Sequence, residues 1–277
     1  MQLIDLFSGF GAFSLAGKQV WGDELEILGF SEIEEYPIKV YQKNFPGVKS
    51  LGDIKELDGR TINFSGPSII TGGFPCPPFS NAGHRKGQAD DRFIWPEMVR
   101  IISEAKPTWV VAENVLGIIS LGIDDCLADL GCQGYETELF VLPACGLGAI
   151  HKRNRIFLIA HTNGNGEPTL SRFFGETPKG FMDPASPDTN IDVKKMWGNF
   201  SGMGWLEQSL KKYKTENIKD QPRIPGMDDG FPNRLDQVKG LGNSIYVPIL
   251  IMIFECIKKI ENIKKKGEAK NTIDDTY

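Results

Sequence analysis

The chain has 277 residues, 40% hydrophobic and 24% charged, a balance that fits a water-soluble folded protein and excludes a disordered or collagen-like one. Its formal net charge of −5 argues against a surface that is basic all over, yet an acidic protein can still present a basic groove, so nucleic acid is not excluded as a partner. Five cysteines, an odd number with no Cys-x-x-Cys pair, exclude a disulfide scaffold and point to a reducing cytoplasm. Residues 1–5 carry no basic region ahead of an apolar stretch, so no secretory leader is expected, and the longest apolar run, 247–254, is too short to span a bilayer.

Residues 3–7 read as an apolar strand, followed by Ser8-Gly9-Phe10-Gly11-Ala12-Phe13 and a helix through Gln19. A glycine turn between strand and helix lets a nucleotide-like ligand approach the backbone closely. Ser14 stands where the dinucleotide fingerprint has its third glycine, which favours a related cofactor without phosphates over NAD. The next strand, 26–33, delivers Glu32 about twenty residues after the glycines, where an acid can accept from both ribose hydroxyls. A helix over 36–44 leads to 48–54, ending in Gly52-Asp53-Ile54; on its own Asp53 reads as a turn or N-cap residue.

Pro67-Ser68-Ile69-Ile70-Thr71 predicts a buried strand that ends in Gly72-Gly73 and opens onto Phe74-Pro75-Cys76-Pro77-Pro78-Phe79-Ser80-Asn81-Ala82-Gly83. Three prolines around Cys76 stiffen the loop, and the loop sits past a strand's carboxyl end, the edge where open α/β sheets bind ligands. Residues 81–92 are polar, with His84, Arg85 and Lys86 able to meet phosphates, and 91–105 predicts an amphipathic helix with Ile94, Met98, Ile101 and Ile102 on one face. The strand 108–112 terminates in Glu113-Asn114-Val115, and a carboxylate there is costly to bury without a partner. A helix near 124–130 and a strand near 138–142 lead to His151-Lys152-Arg153-Asn154-Arg155 and the apolar run 156–160, where two arginines at spacing two point to the same face of a strand. Residues 162–168 read as a junction, and 169–232 show poor periodicity, many Gly and Pro and clustered aromatics. Pro248 suits the first turn of a final helix, apolar nearly all round and expected to lie beside the first glycine loop; 258–277 turns charged and predicts a fraying end and disordered tail.

Gly-Gly-Phe-Pro-Cys-x-Pro-Phe-Ser-x-Ala-Gly resembles the nucleophile loop of the DNA (cytosine-5) methyltransferases, with Pro77 where members commonly carry Gln. Asp5-Leu6-Phe7-Ser8-Gly9-Phe10-Gly11 is similar to that family's first S-adenosylmethionine motif, Glu113-Asn114-Val115 to its sixth, and His151-x-Arg153-x-Arg155 to its Gln-x-Arg-x-Arg pattern. The resemblance covers about residues 1–160 and 222–262. It implies a Rossmann-like α/β methyltransferase sheet, a catalytic domain at 1–161, a small target-recognition region at 162–231, a return to the catalytic domain at 232–262 and a tail at 263–277. It also implies methyl transfer from S-adenosyl-L-methionine to carbon 5 of a flipped-out cytosine in double-stranded DNA. Cys76, Glu113, Arg153 and Arg155 would be catalytic; Phe7, Ser8, Gly9, Phe10, Gly11, Glu32, Ile33, Asp53, Ile54, Asn243 and Ser244 would hold the cofactor. No metal, no membrane and a monomer are expected, in a prokaryotic or phage-encoded protein with a cognate restriction endonuclease as a possible partner. The loop after Cys76 would close over DNA. The rival readings are an RNA cytosine-5 methyltransferase on the same scaffold and a non-catalytic DNA-binding relative.

Overall fold

The runs Leu3-Ile4, Ile69-Ile70, Val110-Val111 and Ile156-Phe157-Leu158-Ile159 are apolar at successive positions, so they can be buried only in a sheet covered on both faces. The computed structural model describes residues 1–75, 94–120, 122–147, 149, 153–162 and 245–274, with side chains as far as 265. Six strands form one sheet: β1 (Gln2–Leu6), β2 (Glu26–Ser31), β3 (Ser68–Gly73), β4 (Trp109–Asn114), β5 (Tyr135–Pro143) and β6 (Asn154–Thr162), in the order β2-β1-β3-β4-β6-β5. The first four are parallel, and β6 runs antiparallel to both β4 and β5. Because β2 and β3 lie on opposite sides of β1, the chain reverses direction across the sheet there, and the crevice outside the carboxyl ends of β1 and β3 is a topological switch point.

Helices cover both faces. On one, Ile4, Leu6, Ile70, Val110, Ala112, Ile156 and Leu158 pack with Trp95, Met98, Ile101 and Ile102 of α3 (Trp95–Ala105) and with Ile123, Cys126 and Leu130 of α4 (Ile123–Cys132). α3 thus buries the face that its periodicity predicts, although Ile94 falls just before its first turn. The other face carries α1 (Ala12–Trp21) and the final helix α5 (Val247–Asp274), joined through Phe254, whose ring lies 5.1 Å from that of Trp21 and 6.4 Å from that of Phe13. α5 is tied to the sheet by a buried polar bond in which Trp109 Nε1 donates to Glu261 Oε1 at 2.8 Å. α2 (Glu35–Asn44) stacks Tyr41 on Phe30 of β2 with ring centroids 3.9 Å apart.

Two differences from the sequence reading stand out. α5 continues to Asp274, where a tail is expected from 263; its Lys- and Glu-rich end has no proline and only Gly267 as a weak helix former, so the helix has no local reason to stop. Arg153 is not on a strand: it precedes β6 with φ 34°, so strand alternation does not align it with Arg155. The chain divides into Met1–Pro168 with Ser244–Tyr277, to which every described residue belongs, and Thr169–Asn243. The loop 81–92, the region 163–231, His151 and the motif residues Cys76, Asn243 and Ser244 lie outside the described residues. Among the described residues no helix is long and apolar enough to cross a membrane.

Candidate active site

Register decides which side chains meet at the carboxyl edge. Gly73 of β3 pairs with Glu113 of β4, and Glu113 pairs across the antiparallel ladder with Phe157 of β6. Arg155, two residues before Phe157, occupies the same face of β6 and reaches diagonally to Glu113. Its Nε lies 2.9 Å from Glu113 Oε1. Gly73 is glycine for a local reason: a Cβ there would stand 3.3 Å from Glu113 Oε2 and 3.6 Å from Ile245 Cδ1. That second contact brings the residue after Ser244 to the same edge.

Glu113 is 9% exposed. Burial pushes its carboxyl up to about 7 against the opposing pull of the Arg155 and Arg153 guanidiniums, so near neutral pH both its forms are populated. A buried carboxyl that holds a proton at neutral pH can act as donor and acceptor at once. The same burial, together with its guanidinium neighbour, moves Arg153 below the ordinary arginine value.

The glycine turn lies at the carboxyl end of β1, one strand further along the same edge. Phe7, Gly9 and Gly11 have φ of 51°, 52° and 84°. For Phe7 this is a strained conformation, and strain of this kind collects at ligand sites. At Gly11 a Cβ would come within 2.9 Å of both Tyr41 and Phe45, whereas at Gly9 it would meet nothing within 4 Å. Glu32 closes the turn from β2: its Oε2 accepts from Gly9 N at 2.9 Å, and its Oε1 accepts from the amides of Ile33 and Glu34. Ile33 beside it is 69% exposed, an apolar side chain left against open space. Ser31 Oγ donates to the Gly52 carbonyl at 2.7 Å, which fastens Asp53 next to Glu32. Asp53 Oδ1 accepts from Lys55 N, the local turn contact anticipated for it. Phe10 meets Tyr36 edge to face, and Ile54 is buried in the core with its carbonyl bound by Arg100.

Asp5, within the first motif, is a further residue of the site whose burial no local sequence pattern signals. Asp5 is fully buried on β1, level with Thr71 of β3. Its Oδ2 accepts from Ser14 N at 3.3 Å and Ser14 Oγ at 2.7 Å, and Ser14 Oγ lies 2.6 Å from Tyr41 Oη. Gly11, the N-cap of α1, has no side chain to offer, so Asp5 supplies from another element the acceptor for an orphan amide of the first turn. Burial, reinforced by the nearby Glu32 charge, pushes its carboxyl up to about 7 in spite of the hydrogen bonds from Ser14 and Thr71. The neutral form is well housed: a proton on Oδ1 can be donated to Thr71 Oγ1 at 3.1 Å, freeing that hydroxyl to donate to the Ile4 carbonyl at 3.3 Å. The folded carboxyl binds its proton more tightly than an unfolded one, so the associated stability is complete below about pH 4 and is lost as pH rises through about 7. A shift of this size corresponds to roughly 4 kcal/mol. Asp5→Asn, which mimics the protonated form, is expected to flatten the fall in thermal midpoint between pH 5 and 8 by on the order of 5–10 °C. Calorimetry across that range checks it; parallel profiles for the two proteins would show that Asp5 does not titrate there.

A sheet with four parallel strands and a crevice at a glycine turn, with an acid–arginine pair at the same edge, defines a Rossmann-like α/β fold. The structure of S. pombe Dnmt2 methyltransferase superposes on it with a TM-score of 0.62, covering 94% of this chain and 99% of that one at 16% identity. The C-5 cytosine-specific DNA methylase profile matches residues 1–226, and the chain belongs to that family. The type II methyltransferase M.NlaX of Neisseria lactamica is 28% identical over 303 aligned positions, covering 93% of this chain and 96% of that protein. M.MspI of Moraxella sp, also a type II methyltransferase, is 33% identical over 242 positions, covering 85% of this chain and 51% of that one. The chain spans about half the length, or less, of several further curated methyltransferases it matches, M.HhaI of Haemophilus parahaemolyticus among them.

The family's chemistry calls for S-adenosylmethionine, and the glycine turn fits it. Among the described residues Ser8 Oγ is buried without a hydrogen-bond partner, nothing lies within 4 Å of a Cβ placed on Gly9, and the exposed Ile33 stands beside the Glu32 carboxylate.

Proposed function

We propose that the protein transfers a methyl group from S-adenosylmethionine to carbon 5 of cytosine in double-stranded DNA, acting as a monomer on a base flipped out of the helix. The observation that carries this reading is the buried Glu113–Arg155 pair next to Gly73, three residues before Cys76. Carbon 5 of cytosine is too weak a nucleophile to take a methyl group directly, so the ring must first gain electrons. The Cys76 thiolate adds to carbon 6, forming a C–S bond and pushing the π pair of the 5,6 double bond onto carbon 5 and into the ring. Glu113, in its acid form, donates to ring nitrogen 3 and accepts from the exocyclic amine, neutralising the charge that arrives there. Arg155 orients Glu113 and anchors the carbonyl oxygen, and Arg153 lowers the thiol below its ordinary value of about 8.5. S-adenosylmethionine supplies the electrophilic methyl. Once carbon 5 is methylated, its hydrogen leaves as a proton to water, the π bond re-forms, the thiolate is expelled and nitrogen 3 returns its proton to Glu113.

Phe7, Ser8, Gly9, Phe10 and Gly11 would line the cofactor, Glu32 would accept from the ribose hydroxyls, Ile33 would face the adenine, and Asp53 with Ile54 would meet its polar edge. Asn243 and Ser244 would close the pocket. Flipping costs a few kcal/mol of unstacking, which contacts in the pocket must offset. Sequence would be read in the grooves by residues within 162–231.

The test is a duplex pool of random sequence, copied with 5-fluorocytosine so that any recognition site is present, incubated with the protein and S-adenosylmethionine. Fluorine on carbon 5 cannot leave as a proton does, so a conjugate of Cys76 and DNA that survives denaturant is the expected product. If folded protein gives no conjugate, the assignment fails; a conjugate on the equivalent RNA pool alone would transfer it to RNA.

A further inference from the structure

The strand ladder between β3 and β4 stops at Gly73 and Glu113, yet the next residue, Phe74, is 5% exposed, and its carbonyl needs an acceptor's partner from elsewhere. Asn114 provides it. Its side chain, 5% exposed, points to the face opposite Glu113 by strand alternation; Nδ2 donates to the Phe74 carbonyl at 3.0 Å, and Oδ1 accepts from Val115 N at 2.8 Å. The Phe74 ring packs against Trp95, 5.0 Å between centroids, and Trp95 Nε1 donates to Asp129 Oδ2 at 2.9 Å. Phe74 lies just before the stretch 76–93, and Trp95 just after it. Both ends of that stretch are therefore held at one corner, by a buried amide on one side and an aromatic pair on the other.

We propose that Asn114 is a positioning residue for the nucleophile: by gripping the Phe74 carbonyl it sets the direction in which the chain departs towards Cys76. The proposal rests on the reading of Cys76 given above. Cys76 is only two residues beyond Phe74, within about 7.6 Å between Cα atoms. Pro75 and Pro77 flank it, and their fixed φ transmits an error at Phe74 instead of absorbing it. Pro75 also has no N–H with which to hold the backbone in place of the lost amide contact. A displacement of about 1 Å at a reacting atom costs on the order of 10²-fold in rate.

The test uses the full chain and the random 5-fluorocytosine duplex pool. Asn114→Asp keeps the volume and the acceptor for Val115 N but puts an oxygen where the donor stood. It is expected to slow adduct formation and lower kcat by roughly 10²-fold, while the KM for DNA and the Kd for S-adenosylmethionine stay within about threefold of wild type. Its rate relative to wild type should rise as pH falls, because the introduced carboxyl, once protonated, can donate to the Phe74 carbonyl. Trp95→Phe, which keeps an aromatic ring against Phe74 but loses the indole and its Asp129 bond, should change kcat in the same direction by less, and it decides the matter if Asn114→Asp fails to fold. Wild-type rates in the variants overturn the proposal. So does a loss of kcat that merely follows falling cofactor affinity and thermal midpoint, which is the mark of a structural role. Absence of the adduct from wild type would instead overturn the reading of Cys76 itself, and this proposal with it.

Discussion

Cys76→Ser is expected to abolish methyl transfer, a loss of several orders of magnitude in kcat, while the thermal midpoint and the affinity for S-adenosylmethionine stay near wild type. The exchange is almost isosteric, so the loop has no steric reason to rearrange. What changes is the nucleophile. A thiol is a few per cent ionised at neutral pH and intrinsically reactive, and Arg153 would raise that fraction; a serine hydroxyl is ionised to no useful extent and has no general base assigned to it here. The two proteins are compared by tritiated methyl incorporation into the random duplex pool and by gel shift of the denatured 5-fluorocytosine conjugate. Substantial methyl transfer by Cys76→Ser would remove Cys76 from its role.

Glu113→Gln is the second large effect, and it separates hydrogen bonding from proton transfer. Glutamine can still offer an N–H to nitrogen 3 of the base and a carbonyl to its amine, so binding should change little. It cannot release a proton to the ring as charge develops, and kcat is expected to fall by about 10²- to 10⁴-fold. The pH profile carries the sharper signature. The carboxyl is held up at about 7 by burial, so in wild type the acid form is lost as pH rises through that value and kcat/KM should turn downward on the alkaline side. The variant has no such group, and its profile should keep rising with thiol ionisation alone. If both proteins share the same alkaline limb, Glu113 is not the proton donor.

The two buried carboxyls owe their raised values to the same cause but differ in surroundings. Asp5 is neutralised within a network of hydroxyls that serves the helix start. Glu113 faces the Arg155 guanidinium at the carboxyl edge of the sheet. Under the proposed function, only the second would exchange its proton with a ligand.

Several parts of this site were legible in the sequence because the chain keeps them together. The glycine turn, Glu32 at its distance after it, Gly72-Gly73 before Cys76 and Glu113 at a strand end are each short-range patterns imposed by backbone chemistry. The order of strands and helices followed from apolar periodicity. α5 outran its expected end because charged residues say nothing against a helix when proline is absent and only a single glycine interrupts them.

The amino-acid sequence by itself determined the reactive groups and the kind of loop each sits on, since conformational preference and side-chain chemistry act over a few residues. Only the tertiary structure decided which of them meet. The Glu113–Arg155 pair depends on β6 running antiparallel beside β4, the raised carboxyl of Asp5 on being sealed beneath α1, and the grip of Asn114 on Phe74 on strands 40 residues apart in sequence. Contacts of that kind arise from how helices and strands pack, and packing is a property of the whole sheet.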